Sequence, residues 1–381
     1  MFQRSRPRPR AATTLVLLLA LLPLGVAPWT GAHAQGTALS CEPAAAPAVA
    51  SQLAVTAGAS PVAPAVTGEP IALKIGYIPI AVYAPIFVAE AKGYYDAQGL
   101  DVSLEPFAGG SDLITFTATG ELDAAIAGAG PALWNAVAEG LPLAVVAPGH
   151  AEGNPVATPL MISAASCESG AIARVADLRG KRVAVNARGA TEYWLAQALS
   201  TGGLTLDDVD LQTLGFPDAV IALESGALDA AMVGEPFATS AERRGIAVRL
   251  STDFPVQDVQ PTAVLVNTDF AAANPAAVQG LVTAYLQAAR DLSGAGFTDP
   301  ANLTIIEEFT KIPADLVASA VAPIYAPNGE IDIVGLARLQ TFFRERDQLG
   351  YDEDLDPATF VDTSYVDAAL TVLGPFPDET G

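Results

Sequence analysis

Very little in this chain can bind a metal or activate a nucleophile. Two cysteines and two histidines are spread over 381 residues, and a tetrahedral zinc site alone would consume four such ligands. His33 lies in the N-terminal segment, so His150 is the one histidine left for the folded body. No Gly-x-Ser-x-Gly elbow and no phosphate loop ending in Lys-Ser or Lys-Thr occurs. Gly128-Ala129-Gly130 runs into Pro131 without the third glycine of a dinucleotide fingerprint. Basic residues are scarce as well: 19 Lys and Arg stand against 42 Asp and Glu, for a net charge of −23. Such a field repels phosphate backbones and excludes nucleic acid as a partner. Charged residues make up 16% of the chain and hydrophobic ones 51%, which excludes disorder throughout and supplies core for two or three domains. These shortages lean away from catalysis, with no metal and no cofactor expected.

The N-terminus reads as an export signal over residues 1–34. Arg4, Arg6, Arg8 and Arg10 give a positive start, and Leu15 to Val26 form an apolar core of 12 residues, shorter than the ~18 needed to span a bilayer. Ala32-His33-Ala34 supplies the small-x-small pattern for signal peptidase, so the mature chain begins at Gln35. The body is therefore expected in the periplasm or at the outer face of the cytoplasmic membrane. Ala38-Leu39-Ser40-Cys41 is similar to a lipoprotein box, but it lacks the large aliphatic residue three before the cysteine and lies 15 residues past the apolar core. Export to an oxidising compartment and an even count also admit a disulfide between Cys41 and Cys167. Lipid attachment, disulfide and free thiols all stay open. Residues 35–70, rich in Ala, Pro, Val, Gly and Ser without period, read as a flexible tether.

From Ile71 the pattern alternates strand and helix. Strand-like runs at Leu73–Ile78, Val102–Pro106, Leu122–Ala127 and Leu143–Ala147 are separated by helical stretches at Tyr83–Tyr95, Ser111–Thr119 (with Ser111 as cap) and Pro131–Glu139. The rhythm restarts after Cys167, with strands at Arg182–Asn186, Leu211–Leu214 and Leu228–Val233 and helices at Thr191–Ser200, Asp218–Glu224 and Pro236–Arg244. Such alternation predicts an α/β fold of mainly parallel sheets flanked by helices. A repeat sharpens it. Gly120-Glu121-Leu122-Asp123-Ala124-Ala125-Ile126-Ala127-Gly128 echoes residues 226–234 at an offset of 106, with six of nine positions identical. Two similar lobes follow: 71–161 with 265–375 as lobe 1, and 165–262 as lobe 2. Pro159–Ala164 and Thr262–Asn267 are candidates for a two-stranded hinge. Helical periods at 277–289, 302–309, 314–321 and 335–349 should pack back on lobe 1.

Ligands of open α/β sheets sit beyond the carboxyl ends of the strands. That rule selects Tyr77 to Tyr83, then Phe107 to Ser111, where Gly110 and Ser111 open a helix, then Ala129 and Trp134. On the second lobe it selects Asn186 to Trp194 and Gly234 to Phe237. Tyr77, Tyr83, Trp134, Tyr193 and Trp194 crowd these loops with aromatic rings. The two tryptophans that remain after signal removal fall one per lobe, where facing rings could sandwich a planar ligand. Glu235 could accept hydrogen bonds from ring N–H or amino groups. Arg188 could meet an anion or Glu235 itself, and Thr191 lies between them. Asp123 and Asp229 start strands and are read as fixing turns.

Several motifs resemble one family. Tyr77-Ile78-Pro79, Ala84-Pro85-Ile86-Phe87-Val88-Ala89, Lys92-Gly93-Tyr94-Tyr95 and Gly99-Leu100-Asp101-Val102 resemble the opening of ABC-importer substrate-binding proteins of the sulfonate, nitrate, thiamine-pyrimidine and riboflavin branch. Asp177 to Val185, Asn328 to Asp332 and Asp362 to Asp367 fit its later segments. The resemblance covers about residues 72–370. It implies a periplasmic-binding fold of the second topological type, a monomer that closes on a small solute, and permease subunits as partners. The aromatic loops and Glu235 favour a planar heterocycle of the thiamine-precursor or riboflavin type, with a sulfonate, taurine or nitrate as the alternative. A pyrimidine-synthase-like enzyme is the remaining reading, disfavoured because the body keeps a single histidine and its cysteines lie outside the site loops. A sensory role is not separable from import.

Overall fold

A computed structural model describes residues 69–257 and 259–377. The expected signal, almost all of the tether and Cys41 lie outside the described residues. The chain first lays down β1 (Ile71–Tyr77), α1 (Ala84–Ala91), α2 (Tyr94–Ala97), β2 (Leu100–Pro106), α3 (Gly110–Thr119), β3 (Ala124–Gly128), α4 (Pro131–Ala138), β4 (Leu143–Pro148) and a short β5 (His150–Ala151). It continues through β6 (Leu160–Ser163), α5 (Ala164–Glu168), β7 (Arg182–Val185), α6 (Ala190–Ser200), β8 (Asp210–Thr213), α7 (Phe216–Glu224), β9 (Ala230–Met232), α8 (Phe237–Arg243) and β10 (Ala247–Ser251). It ends with β11 (Thr262–Asn267), α9 (Thr268–Ala273), α10 (Pro275–Asp291), α11 (Pro300–Thr310), α12 (Ala314–Ser319), β12 (Ile324–Tyr325), α13 (Ile333–Glu345) and α14 (Ser364–Leu373).

Two five-stranded sheets result, ordered β2-β1-β3-β11-β4 and β8-β7-β9-β6-β10. Each is parallel except for one strand, and that strand is the first one made after the chain arrives from the other lobe: β11 in lobe 1 and β6 in lobe 2. The expected two-lobed α/β architecture is present. The hinge differs in detail. Pro159–Ala164 and Thr262–Asn267 supply β6 and β11, which are sheet members, and the crossings are the segments before them, 149–159 and 252–261. The two crossings meet at Gly149. A Cβ there would lie 2.0 Å from Thr262 Oγ1 and 2.6 Å from its carbonyl oxygen, so only glycine allows the approach.

The repeat is structural as well as textual. Asp123 Oδ2 accepts the Lys74 amide at 2.8 Å, and Asp229 Oδ2 accepts the Arg182 amide at 2.9 Å. In return the Asp123 amide donates to Lys74 O and that of Asp229 to Arg182 O. Each carboxylate thus locks its lobe's third strand beside the first. Gly120 and Gly226 precede them with φ of 78° and 73°, a left-handed turn that lets a helix end and the strand begin at once. The stretch expected as one helix over Tyr83–Tyr95 is two, because Gly93 takes φ 70° between α1 and α2. Helix α10 is buried along nearly its whole length and packs on lobe 1 with α1 and α14, as its period predicts. Among the described residues no helix is long and apolar enough to cross a membrane. Cys167 is buried in α5 and carries no free thiol; its expected partner, Cys41, lies outside the described residues.

His150 sits on the first crossing, where its Nδ1 shares a 2.8 Å hydrogen bond with Thr262 Oγ1. Burial holds its pKa down at about 4. Between about 4 and 6.5 the unfolded chain then binds a proton that the folded chain refuses, so this group's stabilising contribution is lost as pH falls through that window. Denaturant titrations of wild type and His150→Gln should show the wild type losing more stability between pH 6.5 and 4, by on the order of 3 kcal/mol. Parallel pH profiles would contradict this.

Candidate ligand cleft

By the strand-end rule, the carboxyl ends of β1, β2 and β3 on lobe 1 and of β7, β8 and β9 on lobe 2 border the candidate cleft. Six helices follow these strands, and four of them use glycine as N-cap: Gly109 for α3, Gly130 for α4, Gly189 for α6 and Gly215 for α7, while Tyr83 precedes α1 and Pro236 precedes α8. None of these caps makes a side-chain hydrogen bond. Elsewhere Ser163, Asn267, Asp299 and Asp332 cap α5, α9, α11 and α13 with their own oxygens, while α2, α10, α12 and α14 also start without a side-chain cap. A helix start leaves backbone N–H groups without intrahelical partners and carries a positive dipole end. At the four glycine-preceded helices the first-turn amides have no capping side chain, whereas at α8 Glu235 Oε2 accepts the Thr239 amide. Gly109, Gly110 and Gly130 have nothing within 4 Å of a would-be Cβ, so they face open space. At Gly189 a Cβ would stand 3.5 Å from Pro131 Cδ, which brings the starts of α4 and α6 together across the gap. Its φ of 140° reserves the position for glycine.

Gly110 and Ser111 lie where the sequence placed them, though Ser111 is exposed inside the first turn and Gly109, not Ser111, is the cap. The aromatic expectation is corrected. Trp134 is fully buried with its ring edge-on to Phe360 at 5.2 Å. Trp194 is equally buried, and its Nε1 donates to Glu152 Oε1 at 2.9 Å. Both side chains point from a first or second helical turn into the core, so neither offers a face for a sandwich. Tyr193 packs edge-on against Trp194 and Phe342. Tyr77 meets Phe87 edge-on at 5.2 Å, and burial pushes its phenol pKa up, with the Glu105 charge adding to the effect. Tyr83 is buried beside it, and burial raises its phenol as well. Ala129 spends its amide on Pro261 O at 2.8 Å.

The charged candidates are also committed. Glu235 Oε1 accepts from Arg249 Nη2 at 2.7 Å, from Thr239 Oγ1 at 3.0 Å and from the Val321 amide at 3.3 Å, while Oε2 takes the Thr239 amide at 3.1 Å. Burial works against the Arg249 charge, but Glu235 and Glu242 outweigh it and hold its pKa above the usual value. Arg188 pairs with Glu192, not with Glu235. Thr191 Oγ1 donates to Asn186 Oδ1 and to Ala187 O, tying the end of β7 to the start of α6. Sequence reasoning missed Glu192, Glu152 and Arg249. Glu152 is a buried crossover carboxylate whose pKa burial raises, partly offset by donors from Thr158, Trp194 and Ala157. Arg346 and Gln348 lie 154 and 156 residues from Glu192 and Glu235 lies 14 from Arg249, separations that mark no local pattern, while Arg188 lies four residues before Glu192 and Glu242 seven before Arg249. Among the described residues no cluster of His, Cys, Asp or Glu could hold a metal ion.

A two-lobed α/β body with crossed antiparallel strands and a gap at the strand ends defines the periplasmic-binding class of fold. Residues 67–306 match the NMT1-like family, and the chain belongs to it. The riboflavin-binding protein RibY of Chloroflexus aurantiacus is 30% identical over 245 residues, covering 62% of this chain and 67% of that one. The bicarbonate transport ATP-binding protein CmpC of Synechocystis is 28% identical over 241 residues, and the chain spans only 35% of it. Among solved structures, the periplasmic nitrate-binding protein NrtA from Synechocystis superposes with a TM-score of 0.65 at 18% identity, covering 80% of this chain and 90% of that one. The periplasmic aliphatic sulphonate binding protein SsuA from Escherichia coli gives 0.64 at 21%, covering 77% and 92%. The desulfurization enzyme DSZB shares the fold too, at 0.55 and 19%, covering 79% and 99%, so architecture alone does not divide binding from catalysis.

The commitment of Glu235 yields a prediction. Glu235→Ala leaves Arg249 with Glu242 as its one carboxylate partner in a largely buried position, and should lower unfolding stability by about 2 kcal/mol in denaturant titration. An unchanged midpoint would place the side chain outside this network.

Proposed function

We propose that the chain is an exported solute-binding protein that delivers a small planar heterocycle of the riboflavin type to an ABC importer through its permease subunits. The observation that carries this reading is the ring of glycine-capped helix starts around the gap. Donors without side-chain partners call for a ligand rich in acceptors. The isoalloxazine edge, with its carbonyl oxygens and ring nitrogens, is such a ligand, and the similarity to RibY points the same way. A thiamine-precursor pyrimidine fits less well, because its amino group wants a free acceptor and the Glu235 carboxylate is occupied. The absence of a free thiol at Cys167 and the burial of His150 leave the described residues without an exposed nucleophile–base pair of those types, which supports binding over catalysis.

A second reading is favoured by the helix dipoles. Positive helix ends attract anions, and a sulfonate, taurine or nitrate would use the same amides with Arg188 at the rim, where its side chain stays half exposed.

A thermal-melt panel on refolded, ligand-free mature protein separates the two. Riboflavin at ~100 times its dissociation constant should add about 2.7 kcal/mol, roughly 5 °C of melting temperature, and this shift should persist in 0.5 M salt. A shift given by sulfonates or nitrate and erased by salt would install the anion reading. Silence from the whole panel would remove both ligand classes.

A further inference from the structure

Glu192 is the most deeply placed carboxylate near the gap, with a side chain wholly shielded from solvent. It is not held by its own lobe alone. Arg188, on the same loop-helix junction, reaches it with Nε at 3.2 Å. Two further donors come from the turn that follows α13: Arg346 Nε at 2.9 Å on Oε1, and Gln348 Nε2 at 2.7 Å on Oε2. That turn is anchored in lobe 1. Asn135 of α4 donates to Gln348 O at 3.1 Å and accepts the Gly350 amide at 2.8 Å. The chain beyond it runs alongside β4, where the Val145 amide donates to Phe360 O and the Asp362 amide to Val145 O. Phe342, on α13, adds an apolar contact by meeting Tyr193 of α6 edge-on at 5.2 Å.

We infer that the 346–350 turn is a latch: Arg346 and Gln348, held on lobe 1, grip Glu192 of lobe 2 and bias the lobes toward closure before any ligand binds. The physical logic is that of a buried charge. A carboxylate removed from water is tolerable only while donors surround it. If the lobes part, Glu192 loses both lobe 1 donors but regains water. If the lobe 1 donors are deleted with the lobes shut, it stays buried with Arg188 alone. Removal of the donors therefore favours opening. Closure bias also sets affinity, because a ligand that needs the closed form binds in proportion to the fraction already closed. The inference needs only the two-lobed fold and holds whichever ligand the gap takes.

The test uses no ligand, so its outcome is independent of the proposed function. Spin labels are attached at Leu141→Cys on lobe 1 and Ile221→Cys on lobe 2, both exposed positions, on refolded ligand-free protein. Their distance distribution is then read by pulsed electron resonance. With the latch intact a single short distance is expected. Arg346→Met, Gln348→Ala and the double variant should move weight to longer distances, raising the open-to-closed ratio roughly tenfold or more in the double variant. All three variants leave Glu192 in place, and an unchanged far-ultraviolet spectrum checks that each is folded. Arg174→Ala, which breaks an exposed pair within lobe 2, should change nothing. A double variant with the wild-type distribution, or a ligand-free wild type already dominated by long distances, overturns the latch.

Discussion

Two aspartate carboxylates, Asp123 and Asp229, set the geometry on which the rest depends. Each accepts the main-chain amide of the residue opposite it on its lobe's first strand, and each follows a left-handed glycine that ends a helix. The pair fixes the register of the third strand beside the first in both sheets. Strand ends then align at one edge of each sheet, and the helices that follow must begin there. Because the chain crosses between lobes twice and enters each sheet as its antiparallel member, both edges face the same gap.

What fills that gap is decided by omission. The four helices that follow β2, β3, β7 and β8 each start after a glycine, which brings no capping oxygen to the first-turn amides. Side chains that could have competed for a ligand are engaged inside the protein: Glu235 by Arg249, Trp194 by Glu152, and Arg188 by Glu192. Under the proposed reading the ligand meets backbone amides, while these side chains are engaged inside the protein. The net charge of −23 repels phosphate backbones, and Asp112, Glu192 and Asp218 lie in the first turns of α3, α6 and α7.

The fold was largely legible. Strand and helix alternation placed β1 to β4 and β7 to β9 within a few residues, and the 106-residue echo announced the second lobe. The turn-fixing role of Asp123 and Asp229 was readable because a carboxylate between a left-handed glycine and an apolar strand has few other uses. The strand β10 was not read although Val248-Arg249-Leu250-Ser251 alternates apolar and polar residues, and the break at Gly93 was hidden by apolar residues that keep a helical period through it. The site was less legible. Trp134 and Trp194 fall inside α4 and α6 rather than in loops, and their side chains face the core, while Glu235 lies in the turn before α8 and is taken up by Arg249 and Thr239. Pairings such as Arg346 with Glu192, 154 residues apart, leave no local trace. Gly110 and Ser111 were read as opening a helix, and the structure makes Gly109 its cap.

The central claim is that a ligand is held between the lobes by the amides that open α3, α4, α6 and α7. Amide hydrogen exchange, measured with and without the ligand that raises the melting temperature, tests it most directly. The account predicts slowed exchange in peptides covering residues 107–113, 128–134, 186–193 and 213–219, on both lobes together. Protection confined to one lobe, or centred on α10 to α14 away from the gap, would contradict it.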